Sequence, residues 1–442
     1  MLKDLSQGKV SSRIFFFALP MLIGNIFQQL YNVVDSMVVG KYLGDNALAA
    51  VGASFPIIFL LISLGFGVTM GGTITISHFF GAKQYNKVRR TVDTMNIFIT
   101  FFSIAFALLG IAFSDKIFLI MKLPVDVIPL ATSYLNVYLI GLPFFFGFGN
   151  ISATLRGVGD SKTPLYLLIF SSVLNIILDI FFVSYLKYGI SSVAWATIIS
   201  QGLAYIAAIV YLRNNKMLNF HIKGIVFDKE IFKKSISIGL PSGVQHILFS
   251  LGMMALFSIV NKFGVKVIAA YSAALRLDSL AIMPSINIAS ALSTFVGQNL
   301  GAGKIDRVKK GLYTTILMSV SISLFITIIF HLFGENLMGL FTKDKEVIAY
   351  GVQYLTIISS FYILFSALFS INAVMRGAGD VIVPMFITLI ALWIVRVPFA
   401  YFMSDVWGIT AVWWAAPIGW AVGISLSFSY YKSNRWKRKF KV

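Results

Sequence analysis

Two aspartates lie inside long apolar stretches of this chain, where an isolated charge is costly. Asp35 occurs in NVVDSMVV and Asp179 in NIILDIFF. A carboxylate at the centre of a hydrocarbon layer costs about 2.5–3.5 kcal/mol, so each aspartate implies a partner, a proton or a bound cation. These two carboxylates are therefore the first candidates for chemistry.

Polar residues accompany the first of them at helical spacing. Asn25, Gln28, Asn32 and Asp35 recur at intervals of three and four, which places them on one face of a helix. The pattern predicts a polar stripe along an otherwise apolar segment.

Similar pairs occur in the two apolar segments that follow Arg156. Asn175 and Asp179 are four residues apart, and Thr197 and Gln201 repeat that spacing. Oxygen atoms that converge from neighbouring helices would suit a hard monovalent cation. Alternatively, two carboxylates close together would retain one proton between them. A third interpretation is a buried polar network that only fixes helix packing.

The second half of the chain carries different charges. Arg276 and Asp278 lie together in one apolar segment and Arg396 lies midway along a later one. Mutual neutralisation, with Asp278 paired to one or both arginines, is the favoured interpretation, and substrate contact is the alternative. All three residues are candidates for lining a cavity.

Repeated motifs show how these residues are positioned. GAKQYNKVRR begins at Gly81 and GAGKIDRVKK at Gly301, while RGVGDSKTP begins at Arg156 and RGAGDVIVP at Arg376. Both pairs are 220 positions apart, half of 442, which indicates an internal duplication. The sequences ending at Pro20 (ALP) and Pro241 (GLP) form a third pair.

The duplication does not reproduce the acidic residues. A shift of 220 or 221 positions places Leu256 or Ala255 opposite Asp35. The same shift of 220 places Val395 opposite Asn175, and Phe399 opposite Asp179. Ion-coupled chemistry is therefore expected in the amino-terminal half alone.

The composition of the chain is that of a membrane protein. The chain is 58% hydrophobic and 12% charged, against about 45–50% and 25% in soluble domains. Its apolar segments reach the roughly 20 residues needed to cross a bilayer. The predicted spans are 14–39, 48–80, 92–114, 127–154, 164–186, 189–212, 235–260, 267–299, 311–333, 347–374, 384–404 and 409–431.

These spans predict an all-α integral membrane protein with twelve transmembrane helices in two six-helix bundles. An even number of spans per half gives both halves the same orientation, as parallel repeats. The predicted domains are an amino-terminal lobe (1–213), a cytoplasmic connector (214–234) and a carboxy-terminal lobe (235–442).

The distribution of positive charge predicts the topology. The chain has 36 Lys and Arg against 17 Asp and Glu, and only Arg276 and Arg396 fall within the predicted spans. With both termini in the cytoplasm, most of the basic residues lie in cytoplasmic segments, as the positive-inside rule requires. The basic balance therefore indicates a multi-pass protein of the cell membrane in contact with lipids, not a nucleic-acid-binding protein.

Other function classes find little support in the sequence. The four histidines and the acidic residues form no metal-ligand or nucleophile arrangement, and no phosphate-binding loop occurs. We therefore expect neither an enzyme nor a resident cofactor. The chain contains no cysteine, which excludes disulfides.

The whole chain resembles the multidrug and toxin extrusion (MATE) transporters. The resemblance rests on VVDSMVVGKYLGDNALAAVG, FVGQNLGAGK, both RGxGD motifs and the LP that enters spans one and seven. It is strongest with the prokaryotic branch whose cation site lies in the amino-terminal lobe.

The resemblance implies two six-helix lobes around a cavity and export of organic cations or amphiphilic drugs by alternating access, in antiport with H⁺ or Na⁺. It implies that Asp35, Asn175, Asp179 and Thr197 form the cation site, which would bind a metal only if the coupling ion is Na⁺. We expect the protein to act as a monomer. The alternative is a lipid-linked oligosaccharide flippase of the same superfamily, although Arg276 and Arg396 offer little positive charge for a pyrophosphate.

Overall fold

A computed structural model describes residues 4–186, 188–215 and 224–440, and this part of the chain is helical without strands. The helices of the first half are α1 (Val10–Leu43), α2 (Asp45–Gly81), α3 (Tyr85–Ile120), α4 (Ile128–Ile140), α5 (Leu142–Gly157), α6 (Lys162–Asp179) and α7 (Ser191–Asn214). Those of the second half are α8 (Lys229–Val260), α9 (Val265–Gly301), α10 (Ile305–Gly339), α11 (Lys345–Ser360), α12 (Tyr362–Gly377), α13 (Ile382–Leu389), α14 (Val397–Trp407) and α15 (Ile409–Lys432). Within the predicted connector 214–234, residues 216–223 lie outside the described part.

The number of spans agrees with the prediction. Ten helical segments in the described residues are long and apolar enough to cross a membrane, and two bent helix pairs bring the total to twelve. α4 and α5 meet at 46°, and α11 and α12 meet at 49°. Pro143 lies in the first turn of α5, next to this bend, where its missing backbone N–H favours a break in the helix. The fold class predicted from the sequence is therefore correct, and the protein is membrane-embedded.

The helices group into two compact units whose limits fall inside helices. The first unit contains residues 20–243, and the second contains residues 4–19 and 244–442. The chain passes from one unit to the other between Leu19 and Pro20 in α1 and between Gly243 and Val244 in α8. Both crossings lie next to the repeated LP motif, so the start of each repeat packs with the other repeat's helices.

Each unit has its own apolar core. In the first unit the core is built from α2–α5 around residues such as Phe118, Leu135 and Phe146. In the second, Tyr271 and Trp413 stack with ring centroids 5.3 Å apart. Burial of such aromatic surface anchors the helices that hold the polar residues.

Small residues bring α2 and the start of α8 into backbone contact in the first unit. A Cβ added to Gly67 would lie 2.3 Å from the Gly243 nitrogen, and one added to Gly71 would lie 2.1 Å from the Ser235 oxygen. The four-residue glycine spacing therefore serves close helix packing, as its small-xxx-small pattern predicts.

The two RGxGD motifs form equivalent turns. Gly159 and Gly379 have φ values of 85° and 86°, a conformation that favours glycine. Asp160 accepts hydrogen bonds from the backbone nitrogens of Lys162 and Thr163, and so caps the start of α6.

A tyrosine from the last helix of each unit completes these turns. The Tyr211 hydroxyl donates to Asp160 at 3.1 Å, and the Tyr430 hydroxyl donates to Asp380 at 2.6 Å. The motif therefore ties the turn after the fourth span to the last span of the same unit, which is a structural role.

Candidate functional site

The first unit brings together the four residues that the sequence singles out. Asp35 is on α1, Asn175 and Asp179 are on α6, and Thr197 is on α7. Asn175, Asp179 and Thr197 are buried and Asp35 is half-buried. The carboxyl groups of Asp35 and Asp179 lie close enough to interact directly with each other. We call these four residues the dyad site.

Helix packing explains why these side chains meet. Gly24 of α1 faces Leu168 of α6, and an added Cβ there would lie 3.2 Å from the leucine Cδ2. α1 and α6 therefore approach closely about three turns from the carboxylates, and α7 packs beside α6. The chain continues from Asp179 into a π-helical segment, Ile180–Tyr185. Such segments often occur at functional sites because they redirect side chains.

Hydrogen bonds order the neutral members of the dyad site. Thr197 Oγ1 donates to the Val193 carbonyl at 3.1 Å and accepts from Asn175 Nδ2 at 3.3 Å. The Tyr31 hydroxyl also lies 3.3 Å from Thr197 Oγ1. Thr197 thus fixes the orientation of the Asn175 amide, which turns the amide oxygen away from the threonine.

The acceptor oxygens of the dyad site lack donors. Asp35 Oδ1, Asn175 Oδ1 and both carboxylate oxygens of Asp179 are buried without a hydrogen-bond donor from the described protein residues. Buried polar atoms are nearly always paired because an unpaired one costs about 1–3 kcal/mol. Two adjacent carboxylates raise that cost further by repulsion. A proton between them, or a cation coordinated by these oxygens, satisfies the arrangement.

Three tyrosines of the site were missed by the sequence analysis. Tyr31, Tyr134 and Tyr138 lie close enough to Asp35 to interact with it electrostatically. Tyr134 and Tyr138 are successive along one face of α4, with ring centroids 6.4 Å apart. Only Tyr31 carried a sequence signal, since it is four residues before Asp35, while the spacing of Tyr134 and Tyr138 places them on one helix face without relating that face to Asp35.

The rest of the predicted polar stripe on α1 is not part of the dyad site. Gln28 and Asn32 are exposed, Asn25 is half-buried, and the Asn32 amide donates to Gln29 at 3.4 Å. Gln201, one turn after Thr197, has a buried amide oxygen with no donor among the described residues. These residues remain predicted cavity-lining positions.

In the described part of the second unit, Asp278 has no direct ion pair with Arg276 or Arg396, although Arg396 lies near enough to act electrostatically on its carboxylate. Asp278 accepts hydrogen bonds from the hydroxyl groups of Tyr362 at 2.5 Å and Tyr354 at 3.3 Å, and no cation lies within ion-pair distance of it in the described residues. Arg276 is exposed and Arg396 is half-buried with an unpaired Nε. The carboxylate is stabilised by two tyrosines because these can donate hydrogen bonds while their rings pack in the apolar core.

The second unit replaces the dyad by apolar residues. Leu256, opposite Asp35, is part of its buried core, and Phe399, opposite Asp179, packs against that core. Arg396 ends a second π-helical segment, Ile390–Arg396. Among the described residues, no group of three or more His, Cys, Asp or Glu side chains that could hold a metal occurs. A cation at the dyad site would therefore depend on amide and hydroxyl oxygens as well as on two carboxylates.

Two repeats of membrane-spanning helices, with buried carboxylates in one unit, are typical of a membrane transporter. The MatE family model matches residues 20–181 and again 241–402, one match in each repeat. The chain belongs to the MatE family, whose members are transporters and not enzymes.

Curated relatives match over nearly the full length. The chain is 31% identical over 440 residues to "Probable multidrug resistance protein YpnP" of Bacillus subtilis, covering 98% of this chain and 97% of the relative. It is 33% identical to "Probable multidrug resistance protein YoeA" of the same species, covering 98% of this chain and 96% of that protein.

Solved structures share the fold. "Crystal structure of MATE in the straight conformation" matches with a TM-score of 0.92 at 24% identity, covering 99% of both chains. "Crystal structure of MATE in the bent conformation" matches with the same TM-score and identity, covering 98% of this chain and 97% of that one. The transporter of Pyrococcus furiosus described by the "reverse polarity" of its binding pocket has a TM-score of 0.91.

Proposed function

We propose that this protein is a multidrug efflux transporter that exports organic cations or amphiphilic drugs in exchange for H⁺ or Na⁺. The family and the relatives named for multidrug resistance support the transport of drugs. The dyad site supports the coupling to an inward-moving cation. We propose the cell membrane as its location, with both termini in the cytoplasm.

One observation carries the coupling proposal: four oxygen atoms of Asp35, Asn175 and Asp179 are buried without a donor among the described residues. A site of this kind binds H⁺ or a hard cation, and releases it when the local geometry changes. Because Asp35 is on α1 and Asp179 on α6, ion binding changes the interaction between these two helices. Movement of α1 relative to α6 then links the ion to alternating access.

The energy of one ion is sufficient for drug export. A unit charge that crosses the membrane potential provides about 2.3 kcal/mol per 100 mV. Each tenfold ion ratio provides about 1.4 kcal/mol. For a neutral drug, a single H⁺ or Na⁺ can therefore sustain a gradient of tens-fold, whereas for a monovalent organic cation the potential term cancels and the ion ratio alone sets the drug ratio.

The test replaces each carboxylate by its neutral amide. Asp35→Asn and Asp179→Asn variants are reconstituted in liposomes, and efflux of a fluorescent organic cation is measured under an imposed ion gradient. We expect at least a tenfold loss of gradient-driven efflux in both variants, with thermal unfolding close to that of the wild type. Asp126→Asn, an acidic residue in the loop before α4, serves as the control with the same chemical change. Wild-type rates in both dyad variants would refute the proposed coupling site.

A further inference from the structure

An open cavity with three lysines among its lining residues lies in the second unit where α1 and α10 begin. Its volume is about 420 Å³, and the starts of the two helices form its walls. The polar side chains lining it are Lys9, Ser11, Lys309, Lys310, Tyr313 and Thr314. The transport proposal uses none of them.

The positive charge of this cavity is largely uncompensated. The ammonium groups of Lys9 and Lys310 have no hydrogen bond or ion pair with the described residues, and that of Lys309 lies 3.7 Å from the exposed Asp306 carboxylate. Three ammonium groups around one cavity repel each other, and a bound anion relieves this repulsion. The hydroxyl groups of Ser11, Tyr313 and Thr314 add hydrogen-bond donors for its oxygens.

The wall that carries Lys9 is held in place by its own contacts. The Leu5 nitrogen donates to Gln298 Oε1 at 2.9 Å, and the Ser6 carbonyl accepts from Lys304 Nζ at 2.9 Å. Arg307 Nη1 donates to the Gly8 carbonyl at 2.9 Å. Residues 4–8 are therefore fixed to the junction of α9 and α10. These contacts also hold the backbone that leads into Lys9.

Apolar surface continues directly from the cavity along both helices. Phe15 is exposed one turn after Ser11 on α1, and Leu317 is exposed one turn after Tyr313 on α10. Four-residue spacing places each pair on one helix face. A ligand at this site thus meets positive charge at one end and apolar side chains along its length.

We propose that the cavity at the starts of α1 and α10 is a binding site for the phosphate headgroup of an anionic phospholipid. The lysines pair with the phosphodiester, the hydroxyl groups donate to its oxygens, and the acyl chains lie along the exposed faces of α1 and α10. Basic pockets at the membrane surface between transmembrane helices bind anionic headgroups by these interactions.

The first repeat shows that this site is not a general consequence of basic loops. Arg89 and Arg90 stand opposite Lys309 and Lys310, and Asp93 stands opposite Tyr313. There Arg90 is 3.5 Å from Asp228, so the arginine already has an anionic partner. The duplicated sequence thus keeps the basic pair in both repeats and leaves it open to a ligand in the second.

The experiment measures lipid retention by the full-length protein in detergent by native mass spectrometry. Phosphatidylglycerol is compared with phosphatidylcholine, and inorganic phosphate is added as a competitor. Lys9→Gln/Lys310→Gln removes two charges from the cavity. Lys229→Gln/Lys233→Gln removes two exposed charges from the start of α8 as the matched control. Thermal unfolding in detergent verifies that both variants fold, and the single variant Lys310→Gln replaces the double one if it does not.

We expect preferential retention of phosphatidylglycerol and roughly a fivefold weaker affinity for each lysine removed, since a cation near an anionic membrane surface contributes about 1 kcal/mol. The control variant should retain the lipid as the wild type does. Equal retention by the cavity variant, or an equal loss in both variants, would overturn the proposal. Displacement of the lipid by millimolar inorganic phosphate would identify a site for soluble anions instead and would also overturn it.

Discussion

At the scale of single residues, Thr197 connects the parts of the dyad site. Its hydroxyl accepts from Asn175 and contacts Tyr31, so it fixes the orientation of the Asn175 amide. Thr197→Val keeps the shape of the side chain and removes these hydrogen bonds. We expect a loss of stability of about 1–3 kcal/mol because the Asn175 amide is left buried without its acceptor.

A transport assay separates the contribution of Thr197 to stability from its contribution to ion binding. Thr197→Val should weaken the response of efflux to the ion gradient, as judged by the ion concentration needed for half-maximal rate. Thr197→Ser retains the hydroxyl and should restore the response in the same assay. If the valine variant matches the wild type in both stability and ion response, Thr197 has no role in ordering the site.

Asp278 provides a comparison from the second unit. Its two tyrosine donors differ in distance, 2.5 Å for Tyr362 and 3.3 Å for Tyr354. We expect Tyr362→Phe to lower the unfolding free energy by about 1.5–3 kcal/mol, because hydrogen bonds to a charged group are the stronger class. Tyr354→Phe should cost less. Thermal unfolding of the two variants measures both losses of stability. A larger loss for Tyr354→Phe than for Tyr362→Phe would contradict this account of Asp278.

At the scale of elements, the packing of α2 against the start of α8 depends on two glycines. Cβ atoms at Gly67 and Gly71 would collide with backbone atoms at 2.3 and 2.1 Å, and a backbone cannot yield as a side chain does. Gly67→Ala and Gly71→Ala should therefore each destabilise the protein by about 3 kcal/mol or more, at or above the usual cost of overpacking.

The neighbouring Gly72 is the matched control. A Cβ there meets only the flexible Met95 side chain, at 3.4 Å from its Cγ. Gly72→Ala should change the unfolding free energy by less than about 1 kcal/mol, and alanine also favours the helix. Thermal unfolding of the three variants in detergent measures the difference. Similar curves for all three would show that α2 and α8 can separate at no cost.

Elements also show what the sequence can predict. Span positions follow from long apolar runs, and the bend between α4 and α5 follows from Pro143. The equivalent bend near Phe361 lacks a proline, so its cause is tertiary packing, which local sequence does not report. The same limit explains why the dyad aspartates were identified from their charge in apolar runs while Tyr134 and Tyr138 were missed. Tyrosines are common in membrane helices, and only the fold places these two beside Asp35.

The direct ion pair predicted for Asp278 is not formed, and local sequence could show this only in part. Charge complementarity suggested Arg276 or Arg396 as a partner, whereas the helix geometry presents Tyr354 and Tyr362. Arg276 is only two residues from Asp278, and residues at that spacing point to different sides of a helix. Sequence spacing could have excluded Arg276, but the choice of tyrosine over Arg396 required the fold.

At the scale of the whole molecule, duplication has given two units of one architecture with different contents. Matches of the MatE model to 20–181 and 241–402 show the common ancestry of the repeats. The first unit contains the acidic dyad, and the second contains apolar side chains at the equivalent positions. The coupling ion that we propose therefore binds to one unit only. The number of ions per transport cycle is then limited to those that the dyad site can bind.

The dyad leads to a prediction about charge movement. Two adjacent carboxyl groups that share a proton carry one net negative charge, and one further H⁺ or Na⁺ neutralises it. Exchange of one such ion for one monovalent organic cation moves no net charge. A membrane potential alone should then fail to drive accumulation, although moving one net charge would provide about 2.3 kcal/mol per 100 mV, roughly fiftyfold in drug ratio.

Proteoliposomes with a valinomycin-clamped potential, a pH gradient or a Na⁺ gradient, imposed one at a time, measure the three driving forces. We expect one of the two ion gradients to drive transport of a fluorescent monovalent cation and the potential alone to leave it at the level of protein-free liposomes. Accumulation driven by the potential alone would mean that more than one ion enters per drug molecule, and the dyad would then have to bind two.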